Sequence, residues 1–482
     1  MNTRAPRPAT VRSGLVGPFL LSLTGAALLS WVGFRYRIDV LRCASWPPMG
    51  QNIVAAAVFL LSVAFLALGW LSVLRRCQRA AGPSTRQILL AGAVLYGVAA
   101  LAPPALSDDP LFYAAIGRVQ AEYQASPRQP LCQTLPADDA LLQHLIPHWR
   151  CGRSPYLPGF DLAARGLAVL SQGSLQGLLR GFQVLAGAAL LGAGALLALA
   201  VRGSSLSPAY AAALVVFNPL AVIEGPASAH NDALLALSCA AFVWSFQRRN
   251  RLGMLGSQSL GLLVKSSSLL LLGIWQGALA LHRLAALRHD LWHSPRVRAA
   301  LRVVVGLALL FIGWALYQIR PEVLFGPSHL PWEHCTRSIE CLPRTLLRTV
   351  LQRPTAALAM AVAFRLLSIT WLLYVAWRAS QERPRLLCWL GTGLLIYYLY
   401  LHPWSQSWYL LSLLPLSPWL GPRASRALHA VSISASAYYA LVLIGNCFTH
   451  DLWVAGFDLA EALIVLIPPT VCLLRPCAQD VA

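Results

Sequence analysis

The sequence predicts an all-α polytopic membrane protein, and three observations lead to that class. Of the 482 residues, 57% are hydrophobic and only 12% are charged. Apolar runs close to the roughly 20 residues that cross a bilayer as a helix recur along the whole chain. Arginines or clusters of Pro, Gly and polar residues bound many of these runs, as is typical of the ends of transmembrane helices. Most of the chain is therefore expected to lie in lipid.

About thirteen membrane segments are predicted from these runs. The first run is too long, and too basic on its far side at Arg35 and Arg37, for a typical cleaved signal peptide, so it is interpreted as a retained helix. In chain order the predicted segments are residues 14–34, 53–74, 87–105, 175–201, 208–223, 232–246, 254–281, 301–319, 355–377, 386–401, 407–420, 428–444 and 458–474.

The distribution of charge predicts the orientation. With the N-terminus in the cytoplasm, the short arginine-rich loops fall on the cytoplasmic side. Segment 254–281 would then begin and end inside, because it lies between basic stretches, so a re-entrant or broken helix is predicted near Lys265. All 18 acidic residues point outward except Asp290, Glu382 and Asp480. The working face is therefore predicted to be extracytoplasmic.

The cysteines are consistent with this orientation. Six of them fall outside, where disulfides can form, and Cys132 with Cys151 and Cys335 with Cys341 are plausible local bridges. The net charge of +20 is spread over many membrane-flanking loops, which indicates contact with anionic lipid rather than with nucleic acid. The six predicted outward cysteines are Cys43, Cys132, Cys151, Cys335, Cys341 and Cys447.

The chain is predicted to form one integral membrane domain, 1–482, with two long outward loops at 107–174 and 320–354. Loops as long as the first are usually functional or folded in their own right. Within it, residues 110–119 are predicted to form an amphipathic helix along the membrane surface, with Asp109 as N-cap and Pro110 as first residue. Asp108, one residue earlier, is then the freer carboxylate.

A second outward cluster contains Glu224, His230, Asn231 and Asp232 within nine residues. An acid, an imidazole, an amide and another acid could bind a sugar or hold a metal ion. The alternative is that Asn231 and Asp232 cap the helix that follows. Glu224, at the end of a membrane segment, lacks that explanation.

Two cations lie within predicted membrane segments. Lys265 is followed by three serines, and together they could bind an anionic phosphate. The alternative is that its ammonium snorkels to the membrane surface. Arg365 could pair with a lipid phosphate or with an acid on a neighbouring helix.

An aromatic cluster follows segment 386–401 and contains His402, Trp404 and Trp408. Aromatic faces beside polar groups suit pyranose rings, although interfacial aromatics are also common belt residues. The chain has no paired CxxC, HExxH, Walker or GxSxG motif, so nucleotide hydrolysis and zinc proteolysis have no support.

Several short motifs, in chain order, resemble those of bacterial GT-C glycosyltransferases, and of polyprenyl-phosphate-mannose-dependent α-mannosyltransferases in particular. The first outward loop carries Ser-Asp-Asp at 107–109 and Gly-Arg-Val at 117–119, and Ser-Pro-Tyr-Leu-Pro follows at 154–158. Asn-Pro-Leu begins at residue 218 and leads to Glu224, and His-Asn-Asp occupies 230–232. Lys265 and the Pro-Trp pair at 403–404 then fall at the expected places. The resemblance implies a GT-C-like fold in the bacterial cytoplasmic membrane.

The resemblance also implies roles for these residues. The enzyme would move a sugar, with mannose expected, from a polyprenyl phosphate to an extracytoplasmic glycan or lipid acceptor, with inversion. Asp108 would be the general base and Asp109 the alternate, and Lys265, with Arg118 or Arg153, would neutralise the leaving phosphate. The side chains expected to bind substrate are Tyr113, Tyr156, Glu224, His230, Asn231, Asp232, His402, Trp404 and Trp408.

Two other functions remain open. A transporter or flippase for lipid-linked sugars would use Lys265 and Arg365 along a translocation path. A lipid-linked glycan polymerase or ligase would differ chiefly in the length of its donor. No cofactor is certain beyond the lipid-linked donor as co-substrate, although the outward acids could bind a divalent cation.

Overall fold

The computed structural model is all-helical, as predicted: no strand occurs in the ranges that it describes. Its helices divide between two compact units, residues 1–266 with 431–453 and residues 267–430 with 454–482. The described residues are 14–36, 49–79, 81–104, 106–145, 147–286, 339–340, 343–344, 346–347, 351–402, 406–445 and 451–475. Predicted segment 301–319, most of loop 320–354, Cys43, Cys335, Cys341, Trp404 and Cys447 lie outside them.

Five helices in the described ranges are long and apolar enough to cross a membrane. A bent pair, Pro208–Val216 with Pro219–Ala227, would make a sixth span. The chain is thus a membrane protein with five or six candidate spans, and the count of about thirteen stays a prediction. The five are Val16–Arg35, Ile53–Cys77, Leu175–Ala200, Pro354–Gln381 and Pro422–Ile444.

The first unit packs its long helices in pairs. Helix α1 lies on α2, and α9 lies on α10 and α12. Gly25 and Gly69 let α1 and α2 approach closely, because an added Cβ at either would come within 3 Å of the other helix. The helices up to this point are α1 (Val16–Tyr36), α2 (Met49–Cys77), α3 (Thr85–Ala99), α9 (Leu175–Ala200), α10 (Pro208–Val216), α11 (Pro219–Val222) and α12 (Asp232–Gln247).

The long loop 107–174 is folded into five helices. A disulfide between Cys132 and Cys151 closes it, as predicted. Helices α4 and α8 pack so closely at Gly117 that an added Cβ would lie 2.4 Å from the Ala164 carbonyl oxygen. The five are α4 (Asp109–Ala121), α5 (Leu131–Thr134), α6 (Ala140–His144), α7 (Pro147–Arg150) and α8 (Pro158–Leu170).

The amphipathic interpretation of the first helix in this loop was wrong. Residues 110–117 of α4 are all buried, so its first two turns expose no polar face. Its core neighbours include Phe160 of α8 and Phe182 of α9. Helix α4 is therefore an internal element of the first unit, and it carries the aspartate pair at its N-terminal end.

Predicted segment 208–223 is not one straight helix. It bends by 52° at Asn218 and Pro219. Proline cannot continue a helix without losing a backbone hydrogen bond, and the Asn218 side chain caps the new start by accepting from the Leu220 amide at 2.9 Å. A π-helical turn, Ile223–Ala227, follows α11 and carries Glu224. The bend thereby fixes where Glu224 enters the site.

The helix predicted to break near Lys265 is interrupted there. Helix α13 (Arg251–Val264) ends when Lys265 adopts an extended conformation, with φ −154° and ψ 140°. The next helix, α14 (Ser268–Ala286), begins after Ser266 and Ser267. The interruption leaves Lys265 at a helix end instead of within a continuous helix.

The second unit contains α14 and the C-terminal helices. In it, both Arg344 and Arg365 contact the buried Glu340, at 3.1 and 2.8 Å, so that Arg365 pairs with an acid. The remaining elements are α15 (Pro354–Gln381), α16 (Leu386–Ile396), a 3₁₀ helix (Ser407–Trp419), α17 (Pro422–Ala437), α18 (Tyr439–Gly445) and α19 (Asp451–Leu474).

Candidate active site

The candidate site lies in the first unit, where the ends of four helical elements meet. Asp109 begins α4, Glu224 lies in the π-helical turn, Asp232 begins α12, and Lys265 follows α13. Residues that are up to 156 positions apart in sequence thus form one cluster through the contacts of His230 and Lys265. The site lies at the N-terminal ends of α4 and α12, where the helix dipole stabilises negative charge.

Asp109 is the hub of the cluster. The Tyr113 hydroxyl donates to its Oδ2 at 3.3 Å, and Nδ1 of His230 lies 3.5 Å from the same oxygen. Helix α4 begins at Asp109, with Asp108 in the N-cap position, so the prediction of Asp109 as N-cap was wrong by one residue. Pro110 is tolerated at the second helical position because the first four N–H groups of a helix have no partner within it.

The neighbouring Asp108 has fewer contacts. Its side chain makes no capping hydrogen bond, and its Oδ1 has no hydrogen-bond partner in the described part of the chain. The residue is partly exposed. It is therefore the freer of the two carboxylates, as predicted, even though it holds the cap position.

The two aspartates differ in pKa. Burial, and then the charge of Asp109, raise the pKa of Asp108 from 3.8 to about 7. Burial also raises the pKa of Asp109, but the hydrogen bond and charge of His230, the charge of Lys265 and the Tyr113 hydroxyl outweigh it, and the net shift is downward. One carboxylate is therefore ionised at neutral pH, while its neighbour exchanges a proton near neutrality, as in other sites that divide acid and base roles.

His230 joins Asp109 to a second, buried carboxylate. Its Nε2 lies 3.3 Å from Oε2 of Glu224, and neither side chain is exposed to solvent. The Tyr439 hydroxyl donates to the same Glu224 oxygen at 3.1 Å. Both residues are fully buried, and their direct contact with substrate stays a prediction.

Asp232 and Lys265 form an ion pair of 2.8 Å. The alternative that Asn231 and Asp232 cap α12 is met in position by Asn231, which is the N-cap but makes no side-chain cap hydrogen bond, whereas Asp232 contacts Lys265. The Asn231 amide is 3% exposed, and neither of its polar atoms has a partner among the described residues. A buried amide of this kind has unused capacity to bind a polar ligand.

The remaining predicted residues of the first unit are two arginines and two tyrosines. Arg118 contacts Glu122 at 2.6 Å and Asp139 at 3.1 Å, and Arg153 is exposed. Tyr113 and Tyr156 are buried and pack edge to face, 5.3 Å between ring centroids. The role of Arg118 or Arg153 at the leaving phosphate stays a prediction.

The aromatic residues predicted to bind a sugar lie in the second unit. His402 packs edge to face on Tyr397 and Tyr409, and Trp408 contacts Tyr409 in the same way. Their role as substrate-binding residues stays a prediction.

Sequence reasoning missed Tyr439. It lies 215 residues beyond Glu224, in an apolar helix, where a tyrosine carries no signal that separates it from an ordinary core residue. Ser107, whose hydroxyl accepts from the Asp109 amide at 3.2 Å, was visible as part of the Ser-Asp-Asp motif but was not assigned. In the described part of the chain, no group of three or more His, Cys, Asp or Glu residues is arranged to hold a metal ion.

Comparison with known proteins shows which family the chain resembles. The family described as "Alpha-(1->6)-mannopyranosyltransferase, N-terminal domain" matches residues 11–281, which include every member of the cluster except Tyr439. The chain is also 25% identical over 457 residues to alpha-(1->6)-mannopyranosyltransferase A of Mycobacterium tuberculosis, covering 89% of this chain and 83% of that protein. No solved structure matches the chain.

Proposed function

The chain belongs to the alpha-(1->6)-mannopyranosyltransferase family and is a membrane glycosyltransferase, and on that premise we propose that it moves mannose from a polyprenyl phosphate to an extracytoplasmic glycan or lipid acceptor, with inversion and with Asp108 as the general base. One observation carries this proposal: a carboxyl with a pKa of about 7, on a partly exposed residue, lies beside an ionised carboxylate whose own pKa is lowered by His230 and Lys265.

The reaction needs a base for the acceptor hydroxyl. Asp108 takes that proton while the hydroxyl oxygen attacks the anomeric carbon and the bond from that carbon to the phosphate oxygen breaks. A base works best when its pKa lies near the working pH, and such catalysis contributes about 10²–10⁴-fold in rate. Asp109 remains ionised, and its charge keeps Asp108 basic enough for this role.

The reaction also needs a cation for the leaving phosphate. Lys265 is the chain's single lysine, and its side chain is 17% exposed, so its ammonium can reach a ligand at the edge of the site. Its ammonium carries three N–H donors, one of which Asp232 accepts. Stabilisation of charge that develops on the leaving group would be its contribution.

The sugar itself requires hydrogen-bond partners. The Asn231 amide and Oδ1 of Asp232 are buried and have none in the described residues. An amide can donate and accept, and a carboxylate oxygen can accept, so together they match the vicinal hydroxyls of a pyranose. We assign the sugar of the donor to this position.

The site would face away from the cytoplasm. The disulfide between Cys132 and Cys151 lies in the same folded loop as Asp108 and Asp109, and disulfides persist in oxidising compartments. We therefore place the N-terminus in the cytoplasm and loop 107–174 outside. Protease accessibility of a tag inserted beside the exposed Asp138 in intact spheroplasts would test this orientation.

Asp108→Asn tests the proposed base. Membranes or nanodiscs that contain the variant, supplied with polyprenyl-phosphate [¹⁴C]mannose and acceptor glycan, should transfer at least about 10²-fold more slowly than wild type. The protein should accumulate normally, because Asn has nearly the same shape. Asp138→Asn, an exposed aspartate in the same loop, is the matched control. Normal turnover by Asp108→Asn would remove Asp108 as the base.

The same assay separates the other functions. A flippase would move lipid-linked mannose across proteoliposomes without forming a glycosidic product, whereas a polymerase or ligase would require a donor with a longer glycan. Transfer of a single mannose to the acceptor would exclude both. No described contact favours transport over transfer.

A further inference from the structure

A buried imidazole lies between two carboxylates in the first unit. Nδ1 of His230 is 3.5 Å from Asp109, and its Nε2 is 3.3 Å from Glu224. The His230 and Glu224 side chains are both fully buried, and Tyr439 extends the array by donating to Glu224 at 3.1 Å. Neither Asp108, the proposed base, nor Lys265, the proposed phosphate-binding group, belongs to this array. His230, Glu224 and Tyr439 therefore have no role in the function proposed above.

The contacts of His230 with Asp109 and Glu224 restrict where hydrogens can lie on these three side chains. Two oxygens that face two ring nitrogens are compatible only if one hydrogen lies in each contact, because two facing lone pairs repel. Because Asp109 is ionised, the hydrogen of its contact lies on Nδ1 of His230, and the hydrogen of the other contact lies either on Nε2 or on the Glu224 carboxyl. Both arrangements put a hydrogen on Nδ1, and both leave the His230–Glu224 pair with zero net charge.

We propose, on the premise of the function above, that Glu224 and Tyr439 are positioning residues that fix the tautomer and orientation of His230, so that its Nδ1–H always points at Asp109. Asp109 is then held beside Asp108 as a fixed anion. The array keeps Asp109 ionised, and the charge of Asp109 in turn helps to set the pKa of the base Asp108. The array itself does not contact the substrate.

The backbone around Glu224 supports a dedicated arrangement. The His230 amide donates to the Glu224 carbonyl at 3.0 Å, so the two residues are joined through both backbone and side chain. Ala229, between them, has φ 57°, a left-handed conformation that residues with a Cβ adopt reluctantly. The π-helical turn contains Pro226, and such turns are frequent at functional sites. This unusual geometry brings the imidazole back over the carboxylate.

Other titratable groups surround the array. Asp108 and Tyr113 face it from α4, Asp232 from α12 and Lys265 from the end of α13, in addition to Tyr439 on α18. Lys265 and His230 both lower the pKa of Asp109. If His230 lost its fixed tautomer, Asp109 would take up a proton more readily, and Asp108 would lose a charge that raises its own pKa.

Two substitutions of Glu224 separate positioning from packing. Glu224→Gln can keep the arrangement, because an amide NH₂ can donate to Nε2 and to the Tyr439 oxygen. Glu224→Leu removes both contacts at similar volume. We expect kcat to fall about 10–100-fold in Glu224→Leu, with KM changed less than about 2-fold, and to fall less than about 5-fold in Glu224→Gln. The acid limb of the pH–rate profile should move to lower pH in Glu224→Leu alone.

Tyr439→Phe provides a milder test if Glu224→Leu does not fold. Losing one hydrogen bond to Glu224 should lower kcat about 3–10-fold, and Tyr123→Phe, an exposed tyrosine of the outward loop, is the matched control. Equal activity of Tyr439→Phe and wild type would remove Tyr439 from the array.

Ring-¹⁵N histidine NMR in nanodiscs reads the tautomer without any substrate. The signals of His230, assigned from their loss in His230→Gln, should show a protonated Nδ1 in wild type and Glu224→Gln, and a changed Nδ1 shift in Glu224→Leu. The proposal fails if Glu224→Leu leaves this signal unchanged, or if Glu224→Gln and Glu224→Leu lose activity equally with an unmoved pH profile. Absence of mannosyl transfer by wild type would instead overturn the proposed function, while the NMR result would still stand.

Discussion

Loop 107–174 and the candidate site each contain several carboxylates, but the partners of these carboxylates differ between the two regions. In the loop, Glu122, Asp139 and Asp161 each contact an arginine at 2.6–3.1 Å. In the site, Lys265 lies 2.8 Å from Asp232, and His230 lies between Asp109 and Glu224. Ion pairs of the first kind hold loops together, whereas carboxylates grouped around a buried imidazole and a lysine are typical of active sites.

Two adjacent pairs of aspartates look alike in sequence but have different surroundings in the structure. Asp138 and Asp139 form an adjacent pair just as Asp108 and Asp109 do, yet Asp138 is exposed and Asp139 caps α6 by accepting from the Leu141 amide at 2.8 Å. The pair at 108–109 instead borders a buried imidazole. The surroundings, rather than the doublet itself, decide which acids could react.

Removing the site cation should have the largest effect. We expect Lys265→Gln, combined with Asp232→Asn so that no buried charge is left alone, to lower kcat about 10²–10³-fold, because the leaving phosphate loses its counter-charge. Arg118→Gln, which removes a cation of the loop, should change kcat less than about 3-fold. Initial rates with polyprenyl-phosphate [¹⁴C]mannose, normalised to folded protein, measure both. Normal turnover in the double variant would show that Lys265 does not bind phosphate.

Breaking the loop should affect stability instead of chemistry. Cys132→Ser with Cys151→Ser opens a link between residues 19 positions apart, which is expected to lower the free energy of unfolding by about 3 kcal/mol. Turnover at low temperature should stay within about 3-fold of wild type. Thermal unfolding in detergent, with and without reductant, makes the measurement. If reductant left the wild-type transition unchanged, the disulfide would contribute nothing to the loop.

The pKa difference within the site can be tested with Asp109→Asn. Asp108 acts as a base when ionised, so its raised pKa places the acid limb of the pH–rate profile near pH 7. Removing the charge of Asp109 lowers that pKa, although burial keeps it above 3.8, so the limb should move to lower pH. The rate at pH 6 relative to pH 8 should therefore rise. Glu122→Gln in the loop should leave the profile in place, and an unmoved limb in Asp109→Asn would contradict the coupling.

The sequence predicted the members of the site better than their contacts. The order of Ser-Asp-Asp, Glu224, His-Asn-Asp and Lys265 along the chain identified residues that do meet, because polar groups are few in such an apolar chain. The helix start was misplaced by one residue, since proline is acceptable at either of the first two positions. Tyr439 could not be predicted, because only the packing of α18 on α2 brings it to Glu224. The contacts of Arg118 with Glu122 and Asp139 could not be predicted either, because a motif does not reveal its nearest carboxylates.

The smallest effect concerns backbone strain at the site. Ala229 lies in the left-handed region, where a residue with a Cβ is disfavoured by about 1–2 kcal/mol and glycine is not. After allowance for the greater freedom of glycine in the unfolded chain, Ala229→Gly should raise the free energy of unfolding by about 0.5–1 kcal/mol. The same change at Ala163, within helix α8 of the loop, should lower it by a similar amount. Thermal unfolding of the two variants gives opposite signs if the site stores strain that the loop does not, and a matched decrease in both would show that Ala229 is unstrained.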